Sequence, residues 1–313
     1  MHHSSQAWYA PLRDMASKAQ LHGNARSSAD LHAARQRHQG QFWTPTAVAA
    51  LMWRIAHQAS ERRRGVVHVL DTSIGSGRLI QFANPDRHVI AGVDPDARCI
   101  HALSEALDAA GIGYDLRVSG MEAIAPRNFD LCLINPPFSV HLESPLLEPS
   151  SCTHYGRMGP HTSALSHDYA LVQALAAAAV VVALVPRSLA DQVGHIDEAT
   201  GRLRAVFDLP ANAFADEGAS VRTSIVVFGD RRSDWMPCRV QVADLAMPLP
   251  DLELDLGKPK SGRLRLRTVD PSTPTIKTPV TGKRRVRVVR HRRELRLKFE
   301  CGLIQARVMN ALY

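Results

Sequence analysis

Val66-Val67-His68-Val69-Leu70-Asp71-Thr72-Ser73-Ile74-Gly75-Ser76-Gly77 is a short β-branched run that ends in an acid and enters a turn with two glycines. A run of this length against a glycine turn reads as a strand over 66–70. The helix-like segment Arg78 to Phe82 follows, then a second β-branched run from His88 to Val93 and a helical pattern over Ala97 to Ala110. The alternation continues through Tyr114 to Val118, Phe129 to Ile134, the apolar stretch Tyr169 to Val185, Leu203 to Leu209 and Ser224 to Phe228. Strands alternating with helical stretches imply a mostly parallel sheet with helices on both faces. Ligands bind such sheets at the carboxyl ends of the strands, so the residues that end each strand become the candidates for chemistry.

Outward from that core the pattern changes. Residues 1–40 are polar, rich in Ala, Arg, Gln and His, and predict a partly helical segment without strands. Thr46 to Gln58 reads as a helix with Val48, Leu51, Met52 and Ile55 on one face. The sheet domain is expected over 41–230, and 231–313 reads as a small irregular extension, Pro-rich at first with short β-like runs at Arg239 to Val242 and Arg263 to Val269, and basic later. The stretch Tyr169 to Val185 is long enough to raise a membrane span, but Gln173 interrupts it, Asp168 abuts it and Pro186 stops it. It divides into a helix-like half, Tyr169 to Ala178, and a β-branched half, Val180 to Val185. The polar N-terminus lacks the apolar core of a secretion signal.

Composition sets the remaining bounds. With 313 residues, 45% hydrophobic and 22% charged, the chain can bury a sizeable core and lies far from the disordered class. Cys99, Cys132, Cys152, Cys238 and Cys301 are far apart, odd in number and without a CxxC, so neither a disulfide framework nor a tetrahedral zinc site is expected, and a reducing cytoplasm fits. The net charge of +8 equals the excess between Thr281 and Lys298, where nine basic residues face Glu294 alone. Lys283, Arg284, Arg285, Arg287, Arg290, Arg292 and Arg293 head that run, which reads either as a solvated tail or as a surface for phosphates.

The strand ends carry the chemical signal. Gly75 and Gly77 allow a tight turn and close approach of a ligand, with Asp71 as an acceptor beside them; Ile80 occupies the place of the third glycine of a dinucleotide fingerprint. The second strand ends in Asp94-Pro95, where a carboxylate can accept from both hydroxyls of a ribose. The fourth runs into Asn135-Pro136-Pro137-Phe138. Two prolines remove two donors and hold the carbonyls and the Asn135 amide in a defined direction, and an aromatic ring follows.

These motifs together resemble the class I S-adenosylmethionine-dependent N6-adenine DNA methyltransferases, in particular the modification subunits of restriction systems. The resemblance covers about residues 35 to 230 in the family's order, from Gln41-Phe42-Trp43-Thr44-Pro45 to Leu209-Pro210-Ala211-Asn212-Ala213-Phe214 and Thr223-Ser224-Ile225-Val226-Val227-Phe228. It implies a doubly wound, mostly parallel seven-stranded Rossmann-like sheet. It also implies S-adenosylmethionine held by Phe42, Thr44, Pro45, Asp71, Ser73, Gly75, Gly77, Asp94, Pro95, Met121 and Asn135. Asn135, Pro136, Pro137 and Phe138 correspond to the family's catalytic motif, which transfers a methyl group to an adenine flipped out of DNA. Where the family carries an acid after the third strand, this chain reads Ser119-Gly120-Met121-Glu122; Met121 is expected to lie on the adenine and Glu122 to supply a displaced carboxylate.

Other readings keep the fold and change the role. Related Asn-Pro-Pro motifs methylate RNA bases or a protein glutamine amide, and loss of cofactor binding would leave a non-catalytic DNA-binding or assembly subunit. His141, His154, His161 and His167 crowd the connection from 139 to 167 at spacings that fit no standard metal site, so no metal is expected and the connection reads as a substrate-facing flap. The expected partners are DNA and either a specificity subunit or a further domain of a longer polypeptide, because a basic run binds phosphates without discriminating bases.

Overall fold

The computed structural model describes residues 43–61, 65–124, 129–138, 140–143, 163–196, 199, 201–215, 221–256 and 275–277. The expected N-terminal helical segment, Phe42 and the basic run from Lys283 to Lys298 lie outside the described residues.

Helix α1 (Thr46–Glu61) starts after Pro45, whose carbonyl accepts from the Ala49 amide at 2.9 Å. Val48, Leu51, Met52, Ile55 and Ala59 repeat at helical spacing and are buried. Four strands follow: β1 (Val67–Asp71), β2 (His88–Asp94), β3 (Gly113–Val118) and β4 (Phe129–Ile134). Between β2 and β3 lies α2 (Ala97–Ala110), capped by the Asp96 side chain on the Arg98 amide and closed by Gly111 at φ 72°. A short antiparallel ribbon, β5 (His141–Glu143) with β6 (Ser163–Leu165), occupies the two ends of the long connection. Then come α3 (Ser166–Ala177), β7 (Ala178–Pro186), the single turn α4 (Arg187–Ala190), β8 (Leu203–Asp208), β9 (Thr223–Phe228), β10 (Cys238–Gln241) and β11 (Thr275–Lys277).

The doubly wound α/β sheet expected from the alternation is present, with the order β10-β8-β9-β7-β4-β1-β2-β3-β11. β1, β2, β3, β4 and β7 run parallel, β9 is antiparallel between β7 and β8, and β11 is antiparallel to β3. The chain therefore winds outward from β1 through β3, returns to β4 on the other side, and reverses its order between β1 and β4. One face of the sheet is covered by α1 and α2, the other by α3 and α4.

Three findings depart from the sequence expectation. The sheet has nine strands in place of seven: β10 and β11 extend its edges. β10 overlaps the short β-like run Arg239 to Val242; it is half exposed and held to the sheet by charge, because Asp208 on β8 accepts from Arg239 Nε at 2.7 Å and from Gln241 Nε2 at 2.6 Å. The segment Arg78 to Phe82 is not a helix. It is a succession of turns (Gly77 N–H to Ile74 O, Ile80 N–H to Gly77 O, Ala83 N–H to Ile80 O), and the Leu79 carbonyl accepts from Trp53 Nε1 at 2.6 Å. Finally, part of the stretch after residue 230, read as an irregular extension, packs into the core of the sheet domain. Leu252, Leu254 and Leu256 are buried in the same core as α1, and Gln58 of α1 donates to the Pro250 carbonyl and accepts from the Leu252 amide.

The apolar stretch divides as expected, with no residue between helix and strand: α3 ends at Ala177 and β7 begins at Ala178. Arg202 makes this corner possible by donating to the carbonyls of Leu175, Ala178 and Ala179, and also to that of Gly229. Among the described residues, no helix is long and apolar enough to cross a membrane.

Candidate active site

The strand order reverses between β1 and β4, the place where doubly wound sheets open a crevice at their carboxyl ends, and Asp71, Ser73 and Asn135 lie at those two strand ends. Asp71 is the last residue of β1 and is 1% exposed. Burial pushes its carboxyl up to about 7; the nearby Asp94 charge adds to the rise, and the hydrogen bond from the Ser73 amide, 2.9 Å long, opposes it. The turn that follows needs its glycines for two reasons. Gly75 and Gly77 have φ of 51° and 78°, and a Cβ on Gly77 would stand 2.4 Å from Leu103 Cδ1 of α2. Glycine at 77 thus lets α2 close against the turn.

Asp94 ends β2, and its two oxygens accept from the Gly75 amide at 3.1 Å and the Asp96 amide at 2.8 Å. The carboxylate therefore caps the glycine turn, using an amide that a dinucleotide site would present to phosphate. Pro95 is exposed and leads into the cap of α2. Beyond β3, Ser119 donates its amide to the Asp94 carbonyl at 3.1 Å, and Met121–Ala123 forms one tight turn. The Met121 side chain is buried. The Glu122 carboxylate folds back over Gly120, within 2.3 Å of where a Cβ would stand, and burial raises its pKa. The loop after β3 thus carries a carboxylate, supplied by Glu122 from a place that glycine leaves open.

Asn135 follows β4 and is held from two sides. Its carbonyl accepts from Ser73 Oγ at 3.3 Å, which bridges the β1 and β4 tips, and its Nδ2 donates to Thr44 Oγ1 at 2.9 Å. Thr44 is 4% exposed, and its segment is anchored by Arg78, whose guanidinium lies 4.2 Å from the centre of the Trp43 ring. Pro45 begins the path into α1.

Phe138 is only 7% exposed, with its edge against the His167 ring at 6.3 Å. Ser166 ties the root of the long connection to the motif, donating its hydroxyl to the Pro137 carbonyl at 2.5 Å and its amide to the Val140 carbonyl at 2.8 Å. Burial lowers His167 to about 4 and raises Asp168 to about 6, and the two lie 3.5 Å apart. The sequence places His167 in the substrate-facing connection and Asp168 beside the apolar stretch, but their link through Ser166 to the Asn-Pro-Pro-Phe motif appears only in the structure. Among the described residues, no group of three His, Cys, Asp or Glu side chains is placed to hold a metal ion.

The residue set suits a ligand rich in hydroxyls and positive charge: carboxylates end β1 and β2, a third follows β3, and the glycine-turn amide is already capped. No family model matches the chain, and no curated protein does. Solved structures share its fold. A Listeria monocytogenes protein assigned to the class I S-adenosylmethionine-dependent methyltransferases superposes with a TM-score of 0.54 at 16% identity, over 71% of this chain and 74% of that one. The methyltransferase subunit of a type I restriction-modification system from Streptococcus thermophilus superposes with a TM-score of 0.53 at 21% identity, over 64% of this chain. The match spans 47%, about half, of that subunit's length.

Proposed function

We propose that the chain binds S-adenosylmethionine in the crevice between β1 and β4 and transfers its methyl group to the exocyclic N6 of an adenine in DNA. The observation that carries this reading is the junction of Ser73, Asn135 and Thr44, which sets the Asn-Pro-Pro acceptors beside the glycine turn. Asp94 would accept from the ribose hydroxyls and Asp71, when ionised, would favour the cationic methionine end. Glu122 would face the adenine ring, in the role of the family's acid after the third strand.

When bound, the cofactor supplies an electrophilic methyl group on a sulfonium. An exocyclic amine is a weak nucleophile because its lone pair is delocalised into the ring. The Asn135 Oδ1 and the Pro136 carbonyl would accept its two hydrogens and favour a pyramidal nitrogen with its lone pair toward the methyl carbon. The proton released on transfer leaves to solvent. Phe138 would pair with the flipped base only after its ring is uncovered, which gives the His167 side of the long connection a part in substrate entry.

Recognition of a DNA sequence is assigned to a partner subunit or a further domain, and the run from Lys283 to Arg293 to phosphate contacts. The test is incubation with labelled S-adenosylmethionine and unmethylated DNA, RNA or a protein with an exposed glutamine, followed by identification of the labelled product. Labelled N6-methyladenine from DNA is expected, and Asn135→Ala should abolish it even at saturating cofactor. Label confined to RNA or glutamine, or wild-type turnover by Asn135→Ala, would refute the assignment.

A further inference from the structure

We propose, building on that reading, that Thr44 is a positioning residue for methyl transfer, whose hydroxyl sets which edge of the Asn135 carboxamide faces the acceptor amine. A carboxamide offers a donor edge and an acceptor edge, and a half-turn about its last bond exchanges them. Only the acceptor edge can take a hydrogen from an amine; the donor edge would face it with N–H against N–H. The choice is made by whatever engages the amide from behind. Here the Thr44 hydroxyl engages it, accepting from Nδ2 at 2.9 Å; an amide whose nitrogen is held there has its oxygen on the other edge.

The restraint is strong because both ends are immobile. Asn135 is fixed through its backbone by the Ser73 hydroxyl on its carbonyl and by two following prolines, so the side-chain torsion is its main remaining freedom. Thr44 is 4% exposed, sits one residue before the Pro45 that opens α1, and follows Trp43, whose ring is covered by Arg78. The distance in sequence, 91 residues, makes this a tertiary device that joins the segment before the sheet to the tip of β4.

The test compares wild type with Thr44→Val, which keeps the shape and removes the acceptor, and Thr44→Ser, which restores it. In protein labelled with 15N asparagine, the Asn135 side-chain amide is identified by its loss in Asn135→Asp. One of its two protons, the one donated to Thr44, should exchange slowly with water in wild type and Thr44→Ser and quickly in Thr44→Val. Single-turnover methyl transfer at saturating cofactor should fall by roughly tenfold to a hundredfold in Thr44→Val and recover in Thr44→Ser, as expected for a lost near-attack geometry. Affinity for S-adenosylhomocysteine is measured alongside, and reading the rate at saturating cofactor separates the positioning role from any contact Thr44 makes with the cofactor. Fast exchange in wild type, or a Thr44→Val rate equal to wild type, overturns the proposal. Lost affinity with an unchanged saturated rate also overturns it, because Thr44 would then be a cofactor contact only. If wild type methylates no DNA, the substrate reading fails separately, and the exchange measurement alone decides whether Thr44 holds the amide.

Discussion

Replacing Asp71 by Asn tests the electrostatics of the crevice without changing its shape. The side chain is 1% exposed, and its carboxyl rises from 3.8 to about 7 chiefly because burial penalises the charge, with Asp94 adding to the effect. Since the folded pKa lies above the unfolded one, the folded state binds the proton more tightly. The associated stability is present below about pH 4 and is lost as pH rises through 7. A rise from 3.8 to about 7 corresponds to about 4 kcal/mol, of which about 2–3 kcal/mol is lost between pH 5 and 8. Asn keeps an oxygen for the Ser73 amide and removes the ionisation. Urea unfolding at pH 5 and pH 8 should therefore show wild type losing about 2–3 kcal/mol more than Asp71→Asn across that interval. Asp168, raised to about 6, contributes with the same sign in both proteins and cancels from the difference. Parallel stability profiles would show that Asp71 titrates as an ordinary carboxyl, and the reasoning from burial would fail.

The same ionisation predicts tighter binding of S-adenosylhomocysteine, which carries an ammonium, as pH rises from 6 to 8, with the trend weakened in Asp71→Asn; calorimetry showing equal pH dependence in both would contradict it. Asp94→Ala should weaken that binding about tenfold or more, the effect of losing a charged acceptor worth about 1.5–3 kcal/mol, and unchanged affinity in a folded variant would remove Asp94 from the pocket. Gly77→Ala should cost about 2–4 kcal/mol in chemical denaturation, combining strain at φ 78° with a Cβ 2.4 Å from Leu103. Gly65→Ala, at φ 95° with open space around it, should cost only the strain, and equal losses at both positions would deny the close approach. Neutralising Arg284, Arg285, Arg292 and Arg293 should lower DNA affinity alike for all sequences and flatten its salt dependence; loss confined to one sequence would show base recognition instead.

What the sequence reveals here depends on how local the cause is. Ala97 to Ala110 is legible to the residue because Asp96 and Gly111 supply both stop signals within the element. The strand-end acids Asp71 and Asp94 are legible because a doubly wound sheet brings its carboxyl ends together whatever the loops do. The turns over 74–83 are not, since their apolar residues mimic one helical face and only Trp53, from a distant helix, satisfies the Leu79 carbonyl. β10 shows as a short β-like run, but its place at the sheet edge depends on a carboxylate in another strand, and the strap leading to Leu252, Leu254 and Leu256 depends on Arg54 and Gln58 reaching the carbonyls of Leu245, Met247 and Pro250. In the site, Asn135 is recognisable from its two prolines, while its hold by Thr44 and the cover over Phe138 exist only once distant segments meet.

The joint between α3 and β7 bears on what lengths this chain can tolerate. Val180, Val182 and Leu184 point into one core and Val181, Ala183 and Val185 into the other, while β4 and β9 pair with both edges of the strand. One residue inserted between Ala177 and Ala178 would find no slack to absorb it. It would slide the strand by one position and exchange the contents of the two cores, or else tear it from both neighbours. Homologous chains of different length should therefore place their insertions in the connection between β5 and β6, whose ends are tied by the ribbon, and keep this corner at constant length.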